Sequence, residues 1–251
     1  MMRRGRGSEE ATRRPAFYAA RPGGWRDWWT LLHPPYTAWH LSYVVIGASL
    51  AQRPDVKRLV ATVLAFFLAV GISAHALDEL NGRPLGTRIP SPVLMAASFL
   101  GVGGAVAIGV AGALQVGPVL VPFLLLGPFL VVAYNAELFG GIVHTDAGFA
   151  AAWGSFPVLT AYVAETADLS VAAVVAAAAA FALSLLQRRL STAARSIRRK
   201  AVTIEGAITF DDGTRRPVDA AELLRPLEGA LAMACSGVVL VALALALSRL
   251  A

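Results

Sequence analysis

Seven stretches of almost pure hydrocarbon side chains divide this chain, at about Tyr36–Ala51, Leu59–Leu77, Pro92–Ala113, Gly117–Tyr134, Ala147–Ala164, Leu169–Leu186 and Gly229–Leu247. A helix needs ~20 predominantly apolar residues to cross a bilayer. Overall 57% of residues are hydrophobic and only 15% charged, whereas a soluble domain carries roughly a quarter charged residues. The fold class expected is therefore an all-α polytopic membrane protein with about seven transmembrane helices. The sixth stretch runs Val171-Ala172-Ala173-Val174-Val175-Ala176-Ala177-Ala178-Ala179-Ala180. Its small side chains predict close approach of neighbouring helices.

Orientation follows from Lys and Arg in alternate loops. One side holds only Arg53, Lys57, Arg58 and Arg249, and all the rest of the 22 Lys and Arg fall on the other. The expected placement is multi-pass in the cell membrane, N-terminus cytoplasmic and C-terminus outside. The net charge of +6 sits in ends and loops, so it reads as a topology signal and not as a nucleic-acid surface. Cys235 is the single cysteine, which excludes a disulfide within one chain. No apolar core precedes Pro35, so a cleaved signal peptide is not expected.

Four regions result. Residues 1–23 form a basic tail, expected to be disordered. Residues 24–187 form a transmembrane domain of six helices. Before its first span, Gly24-Trp25-Arg26-Asp27-Trp28-Trp29-Thr30-Leu31-Leu32 predicts a short interfacial helix, since indoles prefer that depth. His33-Pro34-Pro35 ends it. Residues 188–226 form a basic cytoplasmic loop. Within it, Val202–Phe210 alternates before an Asp211-Asp212-Gly213-Thr214 turn, predicting a small β-hairpin. Residues 227–251 hold the last transmembrane helix.

Chemistry concentrates in Ala74-His75-Ala76-Leu77-Asp78-Glu79-Leu80-Asn81-Gly82-Arg83-Pro84-Leu85-Gly86-Thr87-Arg88, where an apolar span ends in an imidazole, carboxylates, a carboxamide and guanidiniums. Ionisable groups at membrane depth are costly and read as functional; the plain alternative is a solvated helix end. The expected topology puts a second polar cluster, Tyr134-Asn135-Ala136-Glu137 to His144-Thr145-Asp146, at the same face. Oxygen ligands Asp78, Glu79, Asn81, Glu137 and Asp146 suit Mg²⁺, which binds a few carboxylates plus substrate phosphates. Arg83, Arg88, Arg188 and Arg189 could hold a diphosphate. A cavity walled by Ala, Gly and Phe would accept an apolar tail. Together these describe an isoprenoid diphosphate, with metal and Arg stabilising the leaving group.

The arrangement resembles the UbiA-type superfamily of membrane prenyltransferases, over roughly Leu32 to Gln187. That family carries Asn-Asp-x-x-Asp-x-x-x-Asp at the cytoplasmic end of its second span, soon followed by Arg-Pro. Here Ala74 stands at the Asn, His75 at the first Asp, Asp78 at the middle Asp and Gly82 at the last, with Arg83-Pro84 next. Glu79 and Asn81 are the nearby substitutes. Trp153-Gly154-Ser155-Phe156-Pro157-Val158-Leu159-Thr160-Ala161-Tyr162 is similar to the family's Gly-x-x-Pro-hydrophobic-Tyr pattern, and Leu32-His33-Pro34-Pro35 fits its approach to the first span. The resemblance implies a UbiA-like bundle that transfers an isoprenoid group from a polyprenyl diphosphate to an acceptor, using Mg²⁺. Its catalytic residues would be His75, Asp78, Glu79 and Asn81, with Asp78, Glu79 and Asp146 as metal ligands. Its diphosphate would lie on Arg83, Arg88, Arg188 and Arg189. Its pocket would be lined by Tyr134, Asn135, Glu137, His144, Asp146 and Tyr162.

Two departures stand out. The family's second Asp-rich motif should follow the sixth span, where this chain reads Leu186-Gln187-Arg188-Arg189-Leu190-Ser191-Thr192-Ala193-Ala194-Arg195 without a carboxylate. The family also has nine spans. A two-motif, multi-magnesium mechanism is thus not carried over. Two other classes stay open: a non-catalytic descendant binding a lipid or partner protein, and a small transporter. A His75–His144 transition-metal site is a further alternative, and His40 beside Trp39 reads as a structural residue.

Overall fold

The computed structural model describes residues 16–250; of the expected tail, residues 1–15 lie outside them. Six helices among the described residues are long and apolar enough to cross a membrane, so the chain is a multi-pass helical membrane protein. In chain order the helices are α1 (Trp25–Leu32), α2 (Pro34–Ser49), α3 (Val56–Leu80), α4 (Ser91–Val116), α5 (Pro118–Asn135), α6 (Asp146–Thr166), α7 (Val171–Lys200) and α8 (Ala220–Leu250). The membrane-length ones are α3 to α8. The first expected span is α2, of 16 residues or about 24 Å.

Local chemistry sets the ends. Pro34 and Pro35 open α2, where a missing N–H costs nothing. Asp55 caps α3 by accepting from the Lys57 and Arg58 amides. Thr145 caps α6, Ser170 caps α7 and Asp219 caps α8, each through a side-chain oxygen on a first-turn amide.

Three expectations are corrected. Residues 16–23 are packed, not loose: the Ala20 amide donates to Thr30 Oγ1, and Trp29 Nε1 to the Tyr18 carbonyl. Residues 188–200 belong to α7, because neither Gly nor Pro interrupts the helix after Leu186. The last helix begins at Ala220, and Pro226 lies inside it. The hairpin forms with two short strands, β1 (Ala207–Thr209) and β2 (Arg215–Pro217), antiparallel with Ile208 opposite Arg216.

At the centre, α2 packs between α6 and α8. Trp39 and Tyr43 of α2 meet Val158 of α6, Ala177 and Ala180 of α7, and Cys235 and Val238 of α8. Approach is close enough that glycine is required. A Cβ on Gly47 would sit 2.2 Å from the Val158 carbonyl, and one on Gly154 2.6 Å from the Ala180 carbonyl. The small-sided face of α7 is therefore used as expected. Two spans contain wide π-helical turns, Phe67–Ala74 in α3 and Ala151–Ser155 in α6.

The polar residues divide between the two ends. At one, Arg249 Nε reaches the Ser49 carbonyl at 2.9 Å, and the Asp55 amide donates to Glu165 Oε2 at 2.7 Å. At the other gather α1, the 81–90 and 136–145 loops, the basic half of α7 and the start of α8.

Candidate functional site

The second end gathers a group of polar and aromatic side chains, the chamber. Within the π-helical turn of α3, the Gly71 carbonyl pairs with His75 Nδ1 at 3.0 Å. This anchors the imidazole one turn before Asp78. The His75 ring lies 4.6 Å from that of His33, which ends α1 in the left-handed region with φ 46°. Burial, reinforced by His75, holds His33 well below its ordinary imidazole value, so it is neutral at pH 7. Tyr18 packs edge-on against His33 and Tyr36, and burial raises its phenol above the usual range. Asp78 is half-buried and lies within electrostatic range of His75, Arg195 and Arg199. Arg195 is in turn within range of Asp78, Tyr134, Tyr36 and His33. The Arg195 guanidinium itself donates to Thr192 Oγ1 on its own helix at 3.1 Å.

Four buried atoms here make no hydrogen bond within the protein: His33 Nδ1, Tyr36 Oη, Tyr134 Oη and Gln187 Oε1. Buried polar groups are nearly always paired, and each left unpaired costs about 1–3 kcal/mol. Water or a polar ligand can satisfy each of them.

The two expected clusters do come together. Asn81 Nδ2 approaches the Asn135 carbonyl at 3.4 Å, and Tyr134 interacts electrostatically with both Asp78 and Asp146. His144 stacks on Tyr134 at 4.4 Å and its Nδ1 meets the Tyr134 carbonyl. Trp153 closes the other side of Tyr134 at 5.0 Å. His40 is structural, its Nδ1 on the Trp153 carbonyl at 2.9 Å.

Several residues have different work from that expected. Glu79 is wholly buried, and its carboxylate accepts from the Leu85 and Thr87 amides and the Thr87 hydroxyl. It clamps the loop and has no free face for a metal. Arg83 donates to the Ile89 and Thr87 carbonyls and to Ser91 Oγ, closing the same loop. Arg88 is exposed, and only its amide is engaged, by Asp27. Asp146 pairs with Arg188 at 3.0 Å, and that guanidinium also lies over the Phe149 ring. Arg189 points outward and is exposed, as is Glu137. Asn135 is buried, its amide on the Val131 carbonyl. Tyr162 lies 16 residues into α6, about 24 Å from the Asp146 end, and belongs to the opposite face.

The α7 arginines carry the lesson. Arg188, Arg195 and Arg199 are seven and eleven residues apart and share one helical face, whereas Arg189 is turned about 100° away. Arg198 pairs with Glu228 of α8. The spacing was available in the sequence once Gln187–Lys200 is treated as helix.

A magnesium cluster does not fit this donor set. Among the described residues no three His, Cys, Asp or Glu side chains converge. Asp78 is one carboxylate facing guanidiniums, Glu79 is enclosed and Asp146 is paired.

Apart from the chamber, an apolar cavity of about 430 Å³ lies between α3, α4, α5 and α6. Its wall includes Trp153 but none of the chamber's His33, His75, Asp78 or Arg195. Comparison with protein-family models, with curated proteins and with solved structures finds no match.

Proposed function

We propose that this chain is a UbiA-like membrane protein that binds an isoprenoid diphosphate, its head held by arginine and not by a magnesium cluster. In this reading α2 is the seventh span, the chamber faces the cytoplasm, and the C-terminus lies outside, as the Lys and Arg distribution supports. The interfacial role of α1 is supported by Trp25 and Trp29, both exposed on it.

The observation that carries the proposal is Arg195 on a shared face with Arg188 and Arg199, within electrostatic range of His33, Tyr36 and Tyr134, each of which has a buried polar atom without a protein partner. Guanidinium matches phosphate oxygens in pairs, and a low local dielectric strengthens each contact. Tyr36 and Tyr134 hydroxyls can donate to the same oxygens, and neutral His33 can donate or accept.

Transfer of the isoprenoid group is a second reading, favoured by His75 and Asp78 on one helical face beside the arginines. Guanidiniums would stabilise a departing diphosphate, and the His75–Asp78 pair would take the acceptor's proton.

Binding of tritiated geranylgeranyl diphosphate to the purified full-length protein tests the first reading. Binding should persist in EDTA, fall about 10–100-fold in Arg195→Ala, stay within about twofold in Arg189→Ala, and be absent for geranylgeraniol. Equal binding by Arg195→Ala, or strict dependence on magnesium, overturns it. Release of diphosphate on adding candidate acceptors, lost in Asp78→Asn, distinguishes transfer from binding alone.

A further inference from the structure

The Asp27 carboxylate is buried under α1, and both of its oxygens are taken by backbone amides. Oδ1 accepts from Gly23 at 3.0 Å and Oδ2 from Arg88 at 3.2 Å. One side chain thus binds the segment before α1 and the 81–90 loop to the same short helix. Leu31 of α1 completes the join by packing with Ala76, Ile89 and Leu94. Outward, the helix has the opposite character. Trp25 and Trp29, four residues apart, lie on one face and are 70% and 46% exposed. Arg26 is exposed beside them, its guanidinium 5.8 Å above the Trp25 ring. Arg21, two residues before the Gly23 amide, and Arg88, whose own amide Asp27 holds, are exposed as well.

The exposed charge here is of one sign. Within residues 16–33 and 81–91 the charged side chains are Arg21, Arg26, Arg83, Arg88 and Asp27. Asp27 is buried, and Arg83 is committed to the loop carbonyls. The last turn of α3, which packs beside Leu31, adds two carboxylates. Glu79 is sealed against the Leu85 and Thr87 amides, and Asp78 is half-buried in range of His75, Arg195 and Arg199. Three guanidiniums therefore stand exposed around two indoles, with no exposed carboxylate in these segments. An indole prefers the headgroup layer, and a guanidinium there meets phosphate oxygens with paired donors. Each cation near an anionic leaflet adds to the attraction. We infer that this face is a site for anionic phospholipid, its phosphate among Arg21, Arg26 and Arg88 and its acyl chains beside Trp25 and Trp29. Phosphatidylcholine fits less well, because its choline brings a further cation to the same three guanidiniums. The inference rests on the interfacial reading of α1 and is independent of what the chamber binds.

Tryptophan quenching in vesicles tests it. The full-length protein is reconstituted in an equimolar mixture of phosphatidylglycerol and phosphatidylcholine, with bromine on the acyl chains of one lipid or the other. The Trp25 and Trp29 emission is isolated by difference from a variant carrying Trp25→Phe and Trp29→Phe. Brominated phosphatidylglycerol should quench it more, with an association ratio of about fivefold, the contribution of one guanidinium at an anionic surface. Arg26→Gln should lower that ratio about twofold, and Arg21→Gln, Arg26→Gln and Arg88→Gln together should bring it near unity. Arg225→Gln, which removes an exposed cation of α8 beside Glu222, should leave it unchanged. Potassium phosphate should displace the lipid no better than potassium chloride of equal ionic strength. If the triple variant does not fold, Arg26→Gln alone decides. Equal quenching by the two lipids, a ratio untouched by the arginine substitutions, its loss in Arg225→Gln, or displacement by phosphate alone overturns the proposal. Absence of Trp25 and Trp29 quenching by either lipid overturns it together with the interfacial reading of α1. The diphosphate assay reads Arg195 and Arg189, so failure of either site is visible without the other.

Discussion

The two ends of the bundle solve the same problem in opposite ways. At the Asp55 end, short connections bring backbone groups onto side chains from distant helices: Asp55 and Arg58 on Glu165, Arg249 on Ser49. Helix backbones nearly touch there at Gly47 and Val158. At the chamber end the connections are longer, aromatic rings cover one another loosely, and four buried polar atoms have no protein partner. The unpaired groups are concentrated at the chamber end, with Glu165 Oε1 the single one at the other.

That contrast can be broken by substitution. The largest effect is expected inside the chamber end, at its one closed feature. Glu79→Ala strands two amides and a hydroxyl, and should cost about 3 kcal/mol while opening the 82–90 loop to protease. Limited proteolysis with a thermal melt checks both. Next, Gly47→Ala should cost about 2 kcal/mol by forcing α2 from α6. An unchanged melt would show that the tight end has slack.

Tyr36→Phe and Tyr134→Phe sharpen the comparison, because each removes a hydroxyl that has no protein partner. Their melts should be unchanged or about 1 kcal/mol more stable, while diphosphate affinity falls. Loss of stability instead would mean that those hydroxyls are paired in the free protein.

The smallest effect concerns pH. The unfolded chain protonates His33 near its ordinary value of about 6.5, whereas folding holds it well lower. The unfolded state therefore binds the proton first as pH falls. His33 permits full stability above about pH 6.5, and stability declines progressively below it. Melts taken from pH ~8 to ~5 should show this slope, and His33→Gln should flatten it.

Much of the architecture was legible from apolar run length alone. Every expected span has a helix over it, the Asp-Asp-Gly-Thr turn makes its hairpin, and the alanine-rich helix packs closely. Both polar loops meet at one end, as alternation of spans requires. The individual roles were less legible. Glu79 reads as a ligand because the sequence does not show that a loop six to eight residues on will curl back to its carboxylate. Arg189 and Arg195 exchange importance because the basic run continues the helix, so face and not proximity to the span decides. Tyr162 reached the expected pocket through motif similarity, although helical rise alone sets it at the far end. His33, Tyr36 and Gln187 carry no local signal at all. Their significance is the hydrogen bonds they lack, which is a property of the packed bundle.

The widened turns of α3 and α6 have a consequence for how the chamber is aimed. A turn that closes i to i+5 holds one residue more than its neighbours, so everything beyond it is swung about 100° around the axis. Wound as ordinary α-turns, the same residues would rotate His75 and Asp78 away from Arg195. In this chain one amino acid of register, contributing no chemistry itself, decides whether the acid and the imidazole look inward or out at the lipid.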